Sequence, residues 1–159
     1  MTFNAIPAET PSKELQLATF YLDGLLFGID ILEIQEINRQ RDLTLVPHTL
    51  QQVRGVINLR GEVVSVLDLR RVLGLGSIEL GQDTRNIVLH YGGELVGVLV
   101  DRLSDVASVY ADDLQQPPAN ISGVDARFML GVHQLEGELI VLLSVEEILA
   151  VPEAVTTSN

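Results

Sequence analysis

The chain of 159 residues contains no cysteine and no tryptophan, and Lys13 is its single lysine. Without cysteine, neither a disulfide framework nor a thiolate metal site can form, and a reducing, cytoplasmic setting is expected. The N-terminus has neither the basic start nor the apolar stretch of a secretory signal. Apolar runs such as Leu95–Val100 fall well short of the roughly 18 residues that cross a bilayer, so we expect no direct membrane insertion.

Charge is unbalanced, with 22 acidic against 10 basic residues and a formal net charge of -12. This balance argues against a sequence-independent grip on nucleic acid phosphates or anionic lipid, and it favours proteins as partners. Apolar residues make up 47% of the chain, which is enough for a sizeable core. The arginines crowd into the first half, where they form either a docking surface or an ordinary solvated face: Arg39, Arg41, Arg54, Arg60, Arg70 and Arg71.

Residue groups that carry catalysis or metal binding are missing from the sequence. His48, His90 and His133 are far apart, and a surface or half-buried structural role fits each better than metal binding or acid–base chemistry. Neither a nucleophile-elbow motif nor a phosphate-binding lysine motif occurs. The adjacent acids Glu146 and Glu147 open a predicted helix, where the helix dipole favours negative charge. We therefore expect no catalytic residue, no cofactor and no metal, and a protein that is not an enzyme.

Two pairs of matching segments indicate that the chain is an internal duplication. Leu26–Ile29 matches Leu95–Val98 around one shared glycine. Gly55–Val64 matches Gly131–Ile140, which lies 76 residues later, around two shared glycines. The duplication predicts a flexible tail at 1–14, a first half at about 15–73, a joint at 74–86, a second half at about 87–149 and a flexible tail at 150–159.

Within each half the apolar runs are short, rich in β-branched residues and bounded by turn residues, which is typical of strands. The strands expected in the first half, and repeated in the second, are Leu15–Leu22, Leu25–Ile29, Ile34–Asn38, Val53–Leu59 and Glu62–Leu67. Tight hairpin turns are predicted at Asp23-Gly24, Arg60-Gly61, Gly92-Gly93 and Glu136-Gly137. Short antiparallel strands leave exposed edges unless each sheet curls shut, so we expect an all-β fold of two small barrels that share an apolar seam.

One short helix should close each half. Asp68 is placed to cap a helix over Leu69–Leu73. In the second half, Ser144 and Glu147 form the S-x-x-E pattern of a capping box immediately before Ile148. The expected fold is therefore all-β with a few short helices.

Three motifs are distinctive: Phe27–Ile31 followed by Ile34–Ile37, the N-L-R-G segment Arg54–Gly61, and the D-L-R segment Val64–Arg70. These motifs resemble the CheW family of bacterial chemotaxis coupling proteins, and the likeness extends over about 15–149. The resemblance implies two intertwined five-stranded SH3-like β-barrels. It also implies a non-enzymatic adaptor that couples the cytoplasmic tip of a chemoreceptor to the regulatory domain of a CheA-type histidine kinase. Such an adaptor would be recruited from the cytoplasm to membrane-associated receptor arrays.

The same resemblance implies which residues bind partners. Arg60 matches an arginine implicated in coupling, although an ordinary exposed turn residue is the alternative. Ile34, Glu36, Leu103 and Val106 match positions that line a groove between the barrels, where an apolar floor could take a receptor helix. Core packing is an equal alternative for the three apolar residues. The glycines expected to serve structural turns are Gly28, Gly55, Gly61, Gly97, Gly131 and Gly137.

One departure from the family pattern concerns the seam between the barrels. Arg85 and Asn86 lie at the end of the joint, where relatives often have apolar residues, so contacts across the seam are expected to differ. Two other functions stay open at this point. The first is an adaptor of the same fold in a pilus-motility or other non-flagellar array. The second is a small-molecule-binding barrel or hydrolase, which would require a closed polar pocket.

The repeats differ in charge at one pair of hairpin tips, where Arg60 corresponds to Glu136. Both tips share the Leu-x-Gly-Glu pattern, so we expect the same turn at each, and folding then does not explain the difference in charge. We therefore hypothesise that Arg60 meets an acidic or carbonyl-rich partner surface. The substitution Arg60→Glu should weaken complex assembly without unfolding the protein, and Glu136→Arg should do much less.

Overall fold

The computed structural model describes residues 12–39, 42–46 and 51–150, so His48 and most of the two predicted tails lie outside the described residues. The strands of the described part are β1 (Glu14–Leu22), β2 (Leu25–Asp30), β3 (Ile34–Asn38), β4 (Thr44–Leu45), β5 (Val53–Leu59), β6 (Glu62–Asp68), β7 (Arg85–Tyr91), β8 (Glu94–Val100), β9 (Arg102–Tyr110), β10 (Asn120–Ile121), β11 (Val124–Asp125), β12 (Met129–Leu135) and β13 (Glu138–Leu143). Its α-helices are α1 (Leu69–Leu73) and α2 (Val145–Leu149). Single 3-10 turns span Ile31–Glu33, Ala111–Asp113 and Ala126–Phe128.

The strands build two large sheets, and each sheet combines strands from both halves of the sequence. The first sheet has the order β12-β13-β2-β1-β9, and the second has the order β3-β7-β8-β6-β5-β4. β10 and β11 form a separate two-stranded ladder. The opening hairpin of each half therefore pairs with the later strands of the other half. The predicted all-β fold of intertwined five-stranded barrels is confirmed, with β4 as a short addition to the second sheet.

Parallel pairing joins the exchanged hairpins to their new sheets at equivalent registers. β13 pairs with β2 so that Leu142 lies opposite Gly28, and β6 pairs with β8 so that Val66 lies opposite Gly97. Because each hairpin is exchanged, neither the segment at about 15–73 nor the segment at about 87–149 closes a barrel by itself. The sequence repeats therefore do not correspond to the sheets, because each sheet contains strands from both repeats.

The local predictions agree closely with the structure. β3 and β5 begin and end at the predicted residues, and β1, β2 and β6 each extend one residue further. Asp68 caps α1 by accepting a hydrogen bond from the Arg71 amide at 3.2 Å. Ser144 Oγ likewise accepts from the Glu147 amide at 3.2 Å. The reciprocal bond of a complete capping box is not formed, because the Ser144 amide donates to the Phe128 carbonyl at 2.8 Å.

Four of the six glycines predicted at turns lie inside strands instead: Gly28, Gly55, Gly97 and Gly131. None of these four has a positive φ, whereas Gly61 and Gly137 have φ values of 87° and 84°. The strand glycines are needed because other groups approach the backbone closely. A Cβ added to Gly55 would collide with the Thr44 carbonyl oxygen, and one added to Gly97 would collide with the Asn86 side chain.

The interior contains two clusters of buried apolar side chains. The larger cluster includes residues of both sheets, and within it the rings of Phe20 and Phe27 stack with centroids 6.2 Å apart. The smaller cluster belongs to the first sheet and its surroundings, and consists of Leu17, Leu26, Val109, Ile140 and Leu142. Its outer side borders the surface that carries the acidic residues described below.

Candidate partner-binding surface

Arg60, at the tip of the β5–β6 hairpin, forms an ion pair with Glu36 on β3. Its Nη2 atom lies 2.8 Å from Glu36 Oε1. The Arg60 side chain is 72% exposed and that of Glu36 is 25% exposed, so the pair lies at the surface. The structure therefore brings together two of the residues predicted to bind partners. It also gives Arg60 a partner within its own chain.

Glu36 is held from a second side. Asn38 Nδ2 donates to Glu36 Oε2 at 3.0 Å, and Asn38 Oδ1 accepts from Asn86 Nδ2 at 3.3 Å. The hydrogen bonds from Asn38 and Arg60 hold the pKa of Glu36 below its usual value. Asn86 is fully buried, and its Oδ1 atom has no hydrogen-bond partner among the described residues. Asn86 lies where the sequence departs from the family pattern. Its amide thus begins a chain of hydrogen bonds that runs through Asn38 and Glu36 to Arg60.

The turn at Arg60 depends on the asparagine of the N-L-R-G motif. Asn58 Oδ1 accepts a hydrogen bond from the Gly61 amide at 2.9 Å. Arg60 and Gly61 both have positive φ, at 52° and 87°. At the other tip Gly137 has a φ of 84°, but Glu136 does not have a positive φ. The assumption that both tips adopt the same turn is therefore wrong, because only Arg60 occupies the left-handed conformation.

The other predicted residues fall on the equivalent edge strands of the two sheets. Ile34 lies on β3, at the edge of the second sheet, where it is half-buried and packs against the larger core cluster. Leu103 and Val106 lie on β9, at the edge of the first sheet, and are 36% and 65% exposed. β3 pairs with β7 and β9 pairs with β1, so no strand pairing joins the two sets. A single groove lined by all four residues thus stays a prediction.

Val106 lines a groove of about 450 Å³ on the first sheet, whereas Ile34, Glu36 and Leu103 do not. We call it the acidic groove; its lining consists of Ser104–Ser108 on β9, Leu135, Glu136 and Glu138 at the β12–β13 tip, and Thr19, Leu26 and Ile140. The lining therefore includes three acidic residues, Asp105, Glu136 and Glu138, together with the buried residues Leu26 and Ile140. The Thr19 hydroxyl donates to the Asp105 carbonyl and fixes β9 beside the groove.

One end of the acidic groove is ordered by Tyr21. The Tyr21 hydroxyl donates to Glu138 Oε2 at 2.7 Å, and the Arg102 guanidinium lies 4.0 Å from the centre of the Tyr21 ring. The hydrogen bond to Glu138 raises the pKa of Tyr21. Sequence reasoning missed Asp105 and Glu138 as members of a surface. The sequence contained a signal for Asp105, which occupies the repeat position of Glu36, just as Glu136 occupies the repeat position of Arg60.

Neither a metal site nor a membrane-spanning helix is present among the described residues. There, no group of three or more histidine, aspartate or glutamate residues is placed to hold a metal ion. The helices of residues 12–39, 42–46 and 51–150 are too short to cross a membrane.

The chain resembles proteins of one family in both sequence and structure. The CheW-like domain matches residues 16–153. Over 158 residues, the chain is 30% identical to the chemotaxis protein CheW of Klebsiella aerogenes, with 99% of this chain and 94% of that protein covered. Over 138 residues, it is 33% identical to the protein FrzA of Myxococcus xanthus, with 86% of each covered.

A crystal structure of the scaffolding protein TtCheW from Thermoanaerobacter tengcongensis has the same fold. It matches with a TM-score of 0.79 at 25% sequence identity, covering 94% of this chain and 96% of that chain. The match of the domain over most of the chain and the high coverage of the relatives identify the family. The chain therefore belongs to the CheW family of non-enzymatic chemotaxis adaptors.

Proposed function

We propose that this chain couples the cytoplasmic tip of a chemoreceptor to the regulatory domain of a CheA-type histidine kinase. It would do so in the cytoplasm, at membrane-associated receptor arrays. The observation that carries the proposal is the presence of two equivalent edge strands, β3 and β9, on separate sheets. An adaptor has to hold two different partners at once, and duplication followed by divergence supplies two such surfaces.

The two edges offer different chemistry. The β3 edge carries the exposed Arg60–Glu36 ion pair beside the exposed side chain of Ile37. The β9 edge carries exposed Leu103 and Val106 beside the acidic groove. Exposed apolar residues rimmed by charge are typical of protein–protein interfaces. Because their charges differ, the two edges favour different partner surfaces, which supports a bridging role.

A reconstitution experiment tests this function. The purified chain is mixed with a CheA-type kinase and a soluble receptor cytoplasmic fragment, and co-sedimentation and kinase autophosphorylation are measured. Val106→Asp should reduce assembly roughly tenfold or more, because it places a charge in the apolar part of an interface. Leu130→Asp is the matched control, because Leu130 is similarly exposed at 61% but lies on β12. Equal assembly by both variants would contradict a β9 interface, and no binding by the wild-type chain would contradict the function.

The similarity to FrzA favours a second candidate of the same class, an adaptor in a different chemosensory array. This candidate shares the fold and the two edge strands, so the two are separated by the choice of kinase. Binding to the kinase encoded beside the gene, compared with a flagellar-type CheA, would distinguish them. Preference for a non-flagellar kinase would support the second candidate.

A further inference from the structure

We propose that the acidic groove is a docking site for a basic side chain, preferably arginine, of a partner protein. The side chain would insert between Asp105 and Glu136 on the first sheet. The equivalent residues of the second sheet, Glu36 and Arg60, form an ion pair with each other. The inference rests on the proposed function, because the receptor fragment and the kinase regulatory domain are the partners considered. It adds the chemistry by which one of them is recognised.

The equivalence of Asp105 and Glu36 follows from strand register. On the second sheet Ile37 lies opposite Ile87, and the preceding residue Glu36 lies opposite Val88. On the first sheet Val106 lies opposite Ala18, which is the repeat position of Ile87. Asp105 precedes Val106 just as Glu36 precedes Ile37. Both edge strands also have a register irregularity at this point, so the correspondence extends to the local backbone.

The equivalence of Glu136 and Arg60 follows from the hairpins. The pair Leu59–Glu62 closes the β5–β6 tip, and the pair Leu135–Glu138 closes the β12–β13 tip. Arg60 and Glu136 are the first residues of these two turns. One sheet therefore places a cation beside a carboxylate, and the other has a second acidic residue at the equivalent hairpin position, although the backbone of the two turns differs there. The Arg60–Glu36 pair of the second sheet thus indicates that an arginine can pair with a carboxylate at this place in the fold.

Two of the three acidic residues that line the groove, Asp105 and Glu136, are not neutralised within the described part of the chain. Neither the Asp105 nor the Glu136 side chain forms an ion pair or hydrogen bond among these residues. The nearby cation Arg102 instead stacks over Tyr21. Like charges that share a site repel each other, and an incoming cation relieves that repulsion. The complementary partner group is therefore positively charged.

The floor of the groove favours a long basic side chain over a free cation. Leu26 and Ile140 are buried beneath it, Leu135 is half-buried, and Val106 is exposed at its edge. The methylene stem of arginine or lysine packs on such apolar surface while its charged end reaches the carboxylates. Arginine is preferred, because its planar group offers several donors to two carboxylates at once.

The experiment measures affinity for the receptor fragment and for the kinase regulatory domain separately, at low and high salt. Glu136→Gln combined with Asp105→Asn should weaken binding of one of them roughly tenfold or more at low salt, which corresponds to losing one charge-assisted contact. Glu136→Arg should abolish the same binding, because the new arginine pairs with Asp105 and occupies the groove. This expectation differs from the sequence-based one, in which Glu136→Arg weakens assembly much less than Arg60→Glu. Glu94→Gln, an exposed acid on β8 of the second sheet, is the control and should bind normally.

A charge-swap identifies the partner group. Each arginine and lysine of the affected partner is changed to glutamate. The change that weakens wild-type binding should be rescued by Asp105→Arg combined with Glu136→Gln, because removing the Glu136 charge leaves the new arginine free to pair with the partner's glutamate. Thermal melts of every variant exclude unfolding as a cause. Normal affinity of the wild-type chain together with unchanged affinity of all groove variants would overturn this inference alone. Failure of the wild-type chain to bind either protein would overturn the proposed function and the inference with it.

Discussion

The buried carboxylate of Asp68 on β6 lies 2.7 Å from Nη1 of Arg54 on β5. Both residues also bind Ile78 of the joint, which is thereby held against the β5–β6 hairpin. Asp68 also accepts from the Ile78 amide at 3.0 Å, while Arg54 donates to the Ile78 carbonyl at 2.7 Å. The equivalent cap in the second half is the neutral Ser144. The two halves therefore share a helix cap, but only the first uses it to hold a loop.

Replacing Asp68 should be far more costly than replacing its counterpart. Asp68→Ala leaves the Ile78 amide without its acceptor and the partly buried Arg54 guanidinium without its anionic partner. It should lower the free energy of unfolding by about 3–5 kcal/mol. Ser144→Ala removes one capping bond and should lower it by about 1 kcal/mol. Urea unfolding of both variants measures the difference. Equal losses would mean that Asp68 acts only as a helix cap.

The strand glycines should differ in their tolerance of a methyl group. In Gly55→Ala the new Cβ meets the Thr44 carbonyl and lies 2.9 Å from Leu43 Cδ1, so backbone must move. In Gly28→Ala the nearest atom is Leu17 Cδ1 at 3.2 Å, at the end of a flexible side chain. We expect losses of unfolding free energy of about 3 and about 1 kcal/mol. The reverse order in denaturant melts would show that the apparent closeness at Gly55 does not constrain the backbone.

Strands, hairpin tips and helix caps could be predicted because their signals are local. Alternating apolar residues, a glycine at each tip and Asp68 before an apolar run each act within a few residues. The exchange of hairpins could not be predicted in this way. Each half presents the same pattern, so pairing β13 with β2 instead of with β8 is decided by tertiary packing. The positions of Gly28 and Gly97 inside strands follow from that pairing.

The candidate site was predictable in part. Arg60 and Glu36 were both identified through the resemblance, but the ion pair joins β3 to the tip of a hairpin whose strands are not adjacent to β3 in the second sheet. The acidic groove combines β9 with a hairpin tip much later in the chain, and β1 and β2 supply part of its lining. Only folding brings these segments together. The charge difference between Glu136 and Arg60 was visible in the sequence, but its setting was not.

Glu33 should make stability depend on pH in an identifiable way. Burial and, to a smaller extent, Asp30 raise the pKa of Glu33, while His90 opposes the shift. A raised folded-state pKa favours the protonated form, so its contribution to stability is fully present below the unfolded pKa and is lost as pH rises through the folded pKa. Glu33→Gln should therefore be more stable than the wild type near about pH 7, and this advantage should disappear near about pH 4. Urea melts at both pH values measure it, and an advantage that grows on acidification would contradict the assignment.

Substitution of Arg60 can separate its structural role from its contact with a partner. The Arg60–Glu36 pair is exposed, so Arg60→Glu should change the free energy of unfolding by no more than about 1 kcal/mol. The pKa of Glu36 should rise in this variant, because one of the two groups that lower it is replaced by a negative charge. Since a lowered carboxyl pKa stabilises the fold above the unfolded pKa and the benefit is lost as pH falls through the folded pKa, the small loss should be seen at neutral pH and vanish in acid.

The double variant Arg60→Glu with Glu36→Arg then reverses the ion pair at the same two positions. If Arg60 serves only to neutralise Glu36, this reversal should restore both stability and assembly of the receptor–kinase complex. If Arg60 contacts a partner, the reversal should restore the stability that the ion pair contributes, apart from the hydrogen bond that Asn38 donates to Glu36. Assembly should stay impaired, because the exposed tip now presents a carboxylate. We expect the second result, measured by paired thermal melts and reconstituted kinase activation. Full activation by the reversed pair would mean that the charge at this tip does not recognise a partner.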